Sequence, residues 1–224
     1  KYVLMATSSN FGNMFSAAAA SAFLPFLPLL PSQILLNNLL YDIGQLSIPS
    51  DRVDEEQLAR PSHWDIAFVR RFMTVFGPVS SMFDFLTFAV MLHVFDAGAD
   101  LFRAGWFVES LATQSLVIFV IRTRRFPFVR STPGRAVTMA TFAVVAVAVA
   151  LPASPLADTL GFAAPPAGFY AVLAAMVAGY LVLVEVAKRE FYAHLAAPTT
   201  PRTPDRDHRV HRRAARFSHR APRT

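Results

Sequence analysis

Asn38, Asp42 and Gln45 stand at i, i+4 and i+7 in an otherwise apolar segment, Gln33 to Ile48, so on a helix they share one face. A second polar set, Ser9, Asn10 and Asn13, precedes them in an apolar segment running from Tyr2 to Leu27. Amide carbonyls, hydroxyls and one carboxylate form an oxygen-only donor set. Such a set suits a hard cation such as Mg²⁺ or Ca²⁺ and suits soft or imidazole-seeking metals poorly. Packed as neighbours, the two segments would turn facing oxygens toward one site. The plainer reading of the Asn and Ser residues is hydrogen bonding between helices, worth about 0.6 kcal/mol per contact. The combination of Asn38 and Asp42 with Asn10 and Asn13 favours cation binding over it.

These residues need elements to hold them, and the composition says which kind. Of 224 residues, 54% are hydrophobic and only 16% charged, and apolar stretches of about 20 residues recur along most of the chain. That pattern predicts an all-α membrane protein. With no cysteine, disulfide frameworks and thiolate metal sites are excluded. The formal charge of +6 does not point to nucleic acid, because the basic residues fall in loops and a tail, where insertion topology accounts for them.

Six transmembrane helices are expected. Pro25, Pro28 and Pro31 punctuate a short connection after the first segment, and the second ends at Pro49. A polar loop from Ser50 to Trp64 follows, then a third segment from Phe68 to Phe95, whose Gly77-Pro78 reads as a kink within a membrane helix. Segments from Gly105 to Ile121, Ala136 to Leu151 and Gly168 to Ala187 complete the set. Lys and Arg alternate with the loops: Arg52, Arg60, Arg70, Arg71, Arg122, Arg124, Arg125, Arg130 and Arg135 lie on one side, and Arg103 alone on the other. Positively charged loops stay in the cytoplasm, which places both termini there in a multi-pass membrane protein. Residues 1–192 form the expected transmembrane domain. Residues 193–224 read as a disordered, Arg-rich cytoplasmic tail, from Arg202 to Arg220 a solvated extension able to attract anionic lipid headgroups.

Ionisable residues inside spans are costly, so each calls for a reason. Asp42 is the strongest candidate. Asp84, beyond Gly77-Pro78, stays open between a site residue and a structural hydrogen bond. Glu109 and Glu185 fall near the ends of their expected spans, where a side chain reaches headgroups or water, and read as structural; His93 also lies near a span end. Trp106 and Tyr180 read as interface or packing aromatics.

The run Ser8-Ser9-Asn10-Phe11-Gly12-Asn13, followed by Asn38-Leu39-Leu40-Tyr41-Asp42-Ile43-Gly44-Gln45-Leu46, resembles the fifth and sixth transmembrane helices of P-type cation-transporting ATPases, most closely the bacterial magnesium-translocating branch. The likeness continues through Gly105-Trp106-Phe107-Val108-Glu109-Ser110 and Arg122-Thr123-Arg124-Arg125-Phe126-Pro127-Phe128, and covers roughly residues 1 to 192. The resemblance implies that the six helices correspond to the fifth to tenth of such a pump. It makes Asn13, Asn38 and Asp42 ligands of the transported cation, with Asn10 a second-rank member. Asn13 stands where calcium pumps of the superfamily have a glutamate. The lower negative charge favours an ion that keeps part of its water shell, as Mg²⁺ does.

The family's phosphorylation motif Asp-Lys-Thr-Gly, its Thr-Gly-Glu and its Gly-Asp-Gly do not occur in this sequence, and neither does the fourth helix that lends further ligands. The chain alone is therefore expected not to hydrolyse ATP. The chain opens Lys1-Tyr2-Val3, which reads as the interior of a longer protein, with ATP and the catalytic Mg²⁺ bound by an N-terminal half that would be its partner. Membrane lipids and Mg²⁺ are the other expected partners. Competing readings are a calcium or other cation pump, a stand-alone six-helix channel or carrier, and a non-transporting remnant. No internal repeat supports the carrier.

Overall fold

The computed structural model describes residues 2–51, 66–123 and 132–196. The expectations placed on Arg52 to Trp64, on Arg124, Arg125 and Arg130, and on the tail from Pro198 to Thr224 lie outside these residues. By its contacts the chain divides into two units, Lys1–Glu190 and Phe191–Thr224, and the packing described below is internal to the first.

All regular structure among the described residues is helical. The long helices are α1 (Tyr2–Ala20), α2 (Pro31–Gln45), α3 (Ile66–His93), α4 (Ala99–Leu116), α5 (Arg135–Ala150) and α6 (Ala167–Ala196). A one-turn helix, Ile118–Ile121, continues α4, and another, Ala157–Leu160, lies between α5 and α6. Four stretches are long and apolar enough to cross a membrane: Ile66–His93, Ala99–Ile121, Arg135–Ala153 and Ala167–Ala193. At 15 residues, α2 is shorter than the about 20 that a straight span needs.

The predicted boundaries shift for local reasons. Pro31 belongs to α2 and not to the connection, because proline at the first helical position has no amide hydrogen to lose. Gln33 then folds back: its Oε1 accepts from the Leu30 amide at 2.8 Å, while its Nε2 donates to the carbonyls of Leu160 and Gly161 at 2.8 and 3.1 Å. The start of α2 is thereby tied to the turn before α6. In α3 the helix continues through Gly77-Pro78, so the proline does not end it. At its beginning α4 takes in residues assigned by sequence to a link, with Asp100 and Arg103 paired at 2.9 Å inside its first turns.

The centre of the bundle is α4, buried on every side from Ala104 to Ser115. A helix hydrophobic all round belongs in a core, and this one carries Glu109, Ser110, Thr113 and Gln114 into it. Around it, α3 and α5 pack directly, α2 lies on α5 and α4, and α1 packs along α3. That crossing is close because it runs through small residues: a Cβ on Gly12 would meet the Gly77 carbonyl at 3.1 Å and Ser80 Cβ at 3.2 Å. Ser81 Oγ donates to the Gly12 carbonyl across it, at 3.1 Å.

Candidate functional site

The four residues singled out for cation binding occupy two helices. Asn10 on α1 and Asp42 on α2 are exposed, whereas Asn13 and Asn38 are half-buried. Asn13 turns toward α4, its Nδ2 donating to Ser110 Oγ at 3.0 Å. Its Oδ1 is buried and has no hydrogen-bond partner among the described residues, so one carbonyl oxygen of the α1 set is held in place with its lone pairs unused. Ser110 Oγ also accepts from Gln114 Nε2 at 2.6 Å, which fixes the hydroxyl that orients Asn13.

On α2, Asn37, Tyr41 and Gln45 are buried, which turns Asn38 and Asp42 outward by about a third of a turn. Gln45, expected to share the polar face with them, points into the bundle instead. Asn38 makes no side-chain hydrogen bond among the described residues. An exposed carboxylate, a half-buried amide and an oriented but unused carbonyl are therefore present, on helices whose main packing partners differ: α3 for α1, α5 and α4 for α2.

A second polar cluster was not legible as one in the sequence. Ser16 on α1 donates its hydroxyl to Asp84 Oδ2 at 2.6 Å, and Trp106 on α4 donates its indole N–H to Asp84 Oδ1 at 2.8 Å. The Glu109 carboxyl lies next to that of Asp84. The expectation that Glu109 sits near a span end is corrected: α4 begins at Ala99, so Glu109 lies deep within the helix and is 1% exposed. Trp106 packs edge-on against Phe88, ring centroids 4.8 Å apart, as the packing reading has it, and is in addition a hydrogen-bond donor. The sequence did hold a signal for this cluster. Ser80, Asp84 and Thr87 recur at i, i+4 and i+7 in α3, and Trp106, Glu109 and Thr113 at i, i+3 and i+7 in α4, each a polar stripe in an apolar helix.

Elsewhere the structural readings hold. Glu185 lies inside α6, which runs on to Ala196, and not near its end; it keeps a structural role, pairing with Lys188 at 2.6 Å and Arg189 at 3.0 Å, and Tyr180 packs edge-on against Phe83 at 5.3 Å. Lys188 also donates to the carbonyls of Val120 and Thr123, at 2.9 and 3.2 Å, closing the C-terminal end of α4. Beside it, Arg122 grips Asp51 through Nε and Nη2 at 2.7 and 3.1 Å, while Asp51 accepts from the Gly134 amide at 2.9 Å. This pair fastens the segment after α2 to the end of α4 and the start of α5. Among the described residues no group of three or more His, Cys, Asp or Glu could hold a resident metal ion.

Residues 26–189 match the family described as cation transporting ATPase, C-terminus. A magnesium-transporting ATPase, P-type 1, of Escherichia coli (strain K12) is 48% identical over 192 residues, which is 84% of this chain and 21% of that protein. Two proteins of the same name from Salmonella typhimurium (strain LT2) are 48% identical over 192 residues and 43% identical over 196, covering 84% and 86% of this chain. The chain spans about a fifth of the length of these curated relatives. With most of its length inside the family match, and with helices of the length and apolarity that a membrane region requires, the chain belongs to the cation transporting ATPase C-terminus family.

Proposed function

We propose that this chain is the membrane part of an ATP-driven magnesium transporter of the P type and carries part of its transported-cation site. One observation carries the reading: 48% identity over 192 residues to proteins named for magnesium transport. The ligands are Asn13 from α1 and Asn38 and Asp42 from α2, with Asn10 at the margin. Their oxygens replace part of the hydration shell of Mg²⁺, an ion that sheds water reluctantly and is commonly held by one or two carboxylates with several waters retained. The exposure of Asn10 and Asp42 supports a site that other helices of a longer pump complete.

In this reading the phosphoryl chemistry belongs to that longer protein, where a carboxylate nucleophile takes the γ-phosphoryl of ATP. The present chain supplies the passage and not the chemical step. Six spans with both ends in the cytoplasm fit the distribution of Arg between alternate loops. The test is complementation of a bacterial strain deficient in magnesium uptake by the full-length protein, with and without Asp42→Asn. Growth at low magnesium is expected from the first and not from the second. Equal growth from both removes Asp42 from the site, and ATPase activity stimulated by Ca²⁺ but not Mg²⁺ makes the protein a calcium pump.

A further inference from the structure

Gln33, at the start of α2, is fully buried, and both ends of its amide are engaged. Its Oε1 accepts from the Leu30 amide at 2.8 Å, and its Nε2 donates to the Leu160 and Gly161 carbonyls at 2.8 and 3.1 Å. Leu30, the residue before α2, has no side-chain acceptor, so Gln33 alone supplies the reach-back half of a capping box. The carbonyls that it holds close the one-turn helix Ala157–Leu160, which ends on Gly161 at φ 70°. A Cβ on Gly161 would meet Leu30 Cδ1 at 3.0 Å, so the two backbone segments approach closely there.

Two further bonds close a circuit through α4. The Ala163 amide, two residues beyond Gly161, donates to the Asp100 carbonyl of α4 at 3.3 Å. Arg103 of α4 donates through Nε to the Leu27 carbonyl at 3.0 Å, and Phe26 packs edge-on against Phe102 at 5.5 Å. The connection before α2, the start of α4 and the link before α6 are thus bound into one ring, and Gln33 is the member of it that belongs to α2.

A helix held in this way is fixed not only in position but in rotation about its axis. Nine residues are about two and a half turns, so Asp42 falls on the side of α2 opposite Gln33, with Asn38 about 140° round from it. Further along α2 the buried oxygens of Asn37 and Gln45 receive no hydrogen bond from any described residue, so Gln33 supplies a directional hold that they do not. A rotation of about 20° would carry an oxygen ~6 Å from the axis through ~2 Å. That is a whole Mg²⁺–oxygen distance, and Mg²⁺ demands near-ideal octahedral geometry.

We propose that Gln33 is a positioning residue of the cation site: by tying the start of α2 to the link before α6, it sets the direction in which Asn38 and Asp42 present their oxygens. The inference rests on the reading of Asn38 and Asp42 as ligands of the transported cation. Gln33 itself touches no ion and acts through the rotation of its helix.

The experiment measures Mg²⁺ uptake by the full-length protein in cells deficient in their own, with a Mg²⁺-sensitive dye inside and the outside Mg²⁺ varied. Gln33→Glu keeps an acceptor for Leu30 but sets a carboxylate oxygen against the Leu160 and Gly161 carbonyls, so the helix start survives and the tie is lost. The outside Mg²⁺ needed for half-maximal uptake is expected to rise by about tenfold or more, with the maximal rate per pump kept within about twofold. A role in folding alone would lower the amount of pump and leave that concentration unchanged, and this result overturns the proposal. Should the variant not reach the membrane, hydrogen exchange in purified wild type decides it. Protection of the Leu30 amide that is the same with and without Mg²⁺ supports a fixed tie, and protection that changes on adding Mg²⁺ refutes it. A wild-type protein without Mg²⁺ uptake would instead overturn the magnesium reading.

Discussion

Asp42 and Asp84 are both single carboxylates in apolar helices, yet their surroundings are opposites. Asp42 is exposed on α2, one turn from a half-buried Asn38. Asp84 is enclosed by α1, α3 and α4, with a donor on each oxygen and a second carboxyl against it. The enclosed group is satisfied by this chain alone. The exposed face offers oxygens whose arrangement needs something further, an ion and other helices, before it resembles a site. A carboxylate inside a membrane demands compensation, and Asp84 meets that demand from within the bundle.

The comparison is sharpest where the two regions answer to different measurements. Asp42→Asn in the full-length protein should abolish magnesium-dependent growth and leave the melting temperature in detergent unchanged, because the residue is not enclosed by this bundle. A fall in melting temperature equal to that of an interior variant would break the contrast. Breaking the buried ion pair by Arg122→Ala should do the reverse, costing about 3–5 kcal/mol of stability, since the buried Asp51 then loses the guanidinium that grips it. Thermal denaturation of the purified protein reads this directly, and a loss below about 1 kcal/mol would mean that water reaches Asp51 freely.

Smaller effects refine the picture at the helix crossings. Gly12→Ala places a Cβ 3.1 Å from the Gly77 carbonyl, a backbone atom that cannot swing aside, so α1 must move away from α3 at a cost of about 1–3 kcal/mol. Reduced resistance to limited proteolysis would report that separation. The finest test separates ligand from structural amide. Ser110→Ala removes the hydrogen bond that orients Asn13, worth about 0.6 kcal/mol, together with the one accepted from Gln114, and should lower apparent Mg²⁺ affinity by a few fold. Asn13→Ala removes the free carbonyl oxygen too and should lower it far more. Equal effects would assign Asn13 to packing alone.

Much of this architecture was legible in the sequence because helices in lipid must be apolar for their whole length. The four stretches long enough to cross a membrane coincide within a few residues with predicted segments, apart from two ends. α4 starts at Ala99, since Asp100 and Arg103 neutralise each other inside the helix, and α6 runs on to Ala196 past Lys188, whose charge is spent on Glu185 and on the end of α4. The first error had a consequence, for it placed Glu109 near a span end and so near water. Gln45 was misjudged for another reason: a spacing of seven residues leaves it about 20° off the face of Asn38, enough on a helix packed on two sides to turn it inward.

The sequence by itself determined the membrane class, the places where the long apolar helices run, the hard-cation character of the Asn and Asp side chains, and the family they belong to. Periodicity fixes which residues share a face of one helix, because 3.6 residues per turn is a local property. It does not fix how that helix is rotated against its neighbours, which depends on where small residues permit close approach and where buried polar groups find partners. Only the tertiary structure therefore decided that Asn13 turns to Ser110, that Arg122 reaches back to Asp51, and that Asp84 and Glu109, 25 positions apart and on different helices, stand carboxyl to carboxyl.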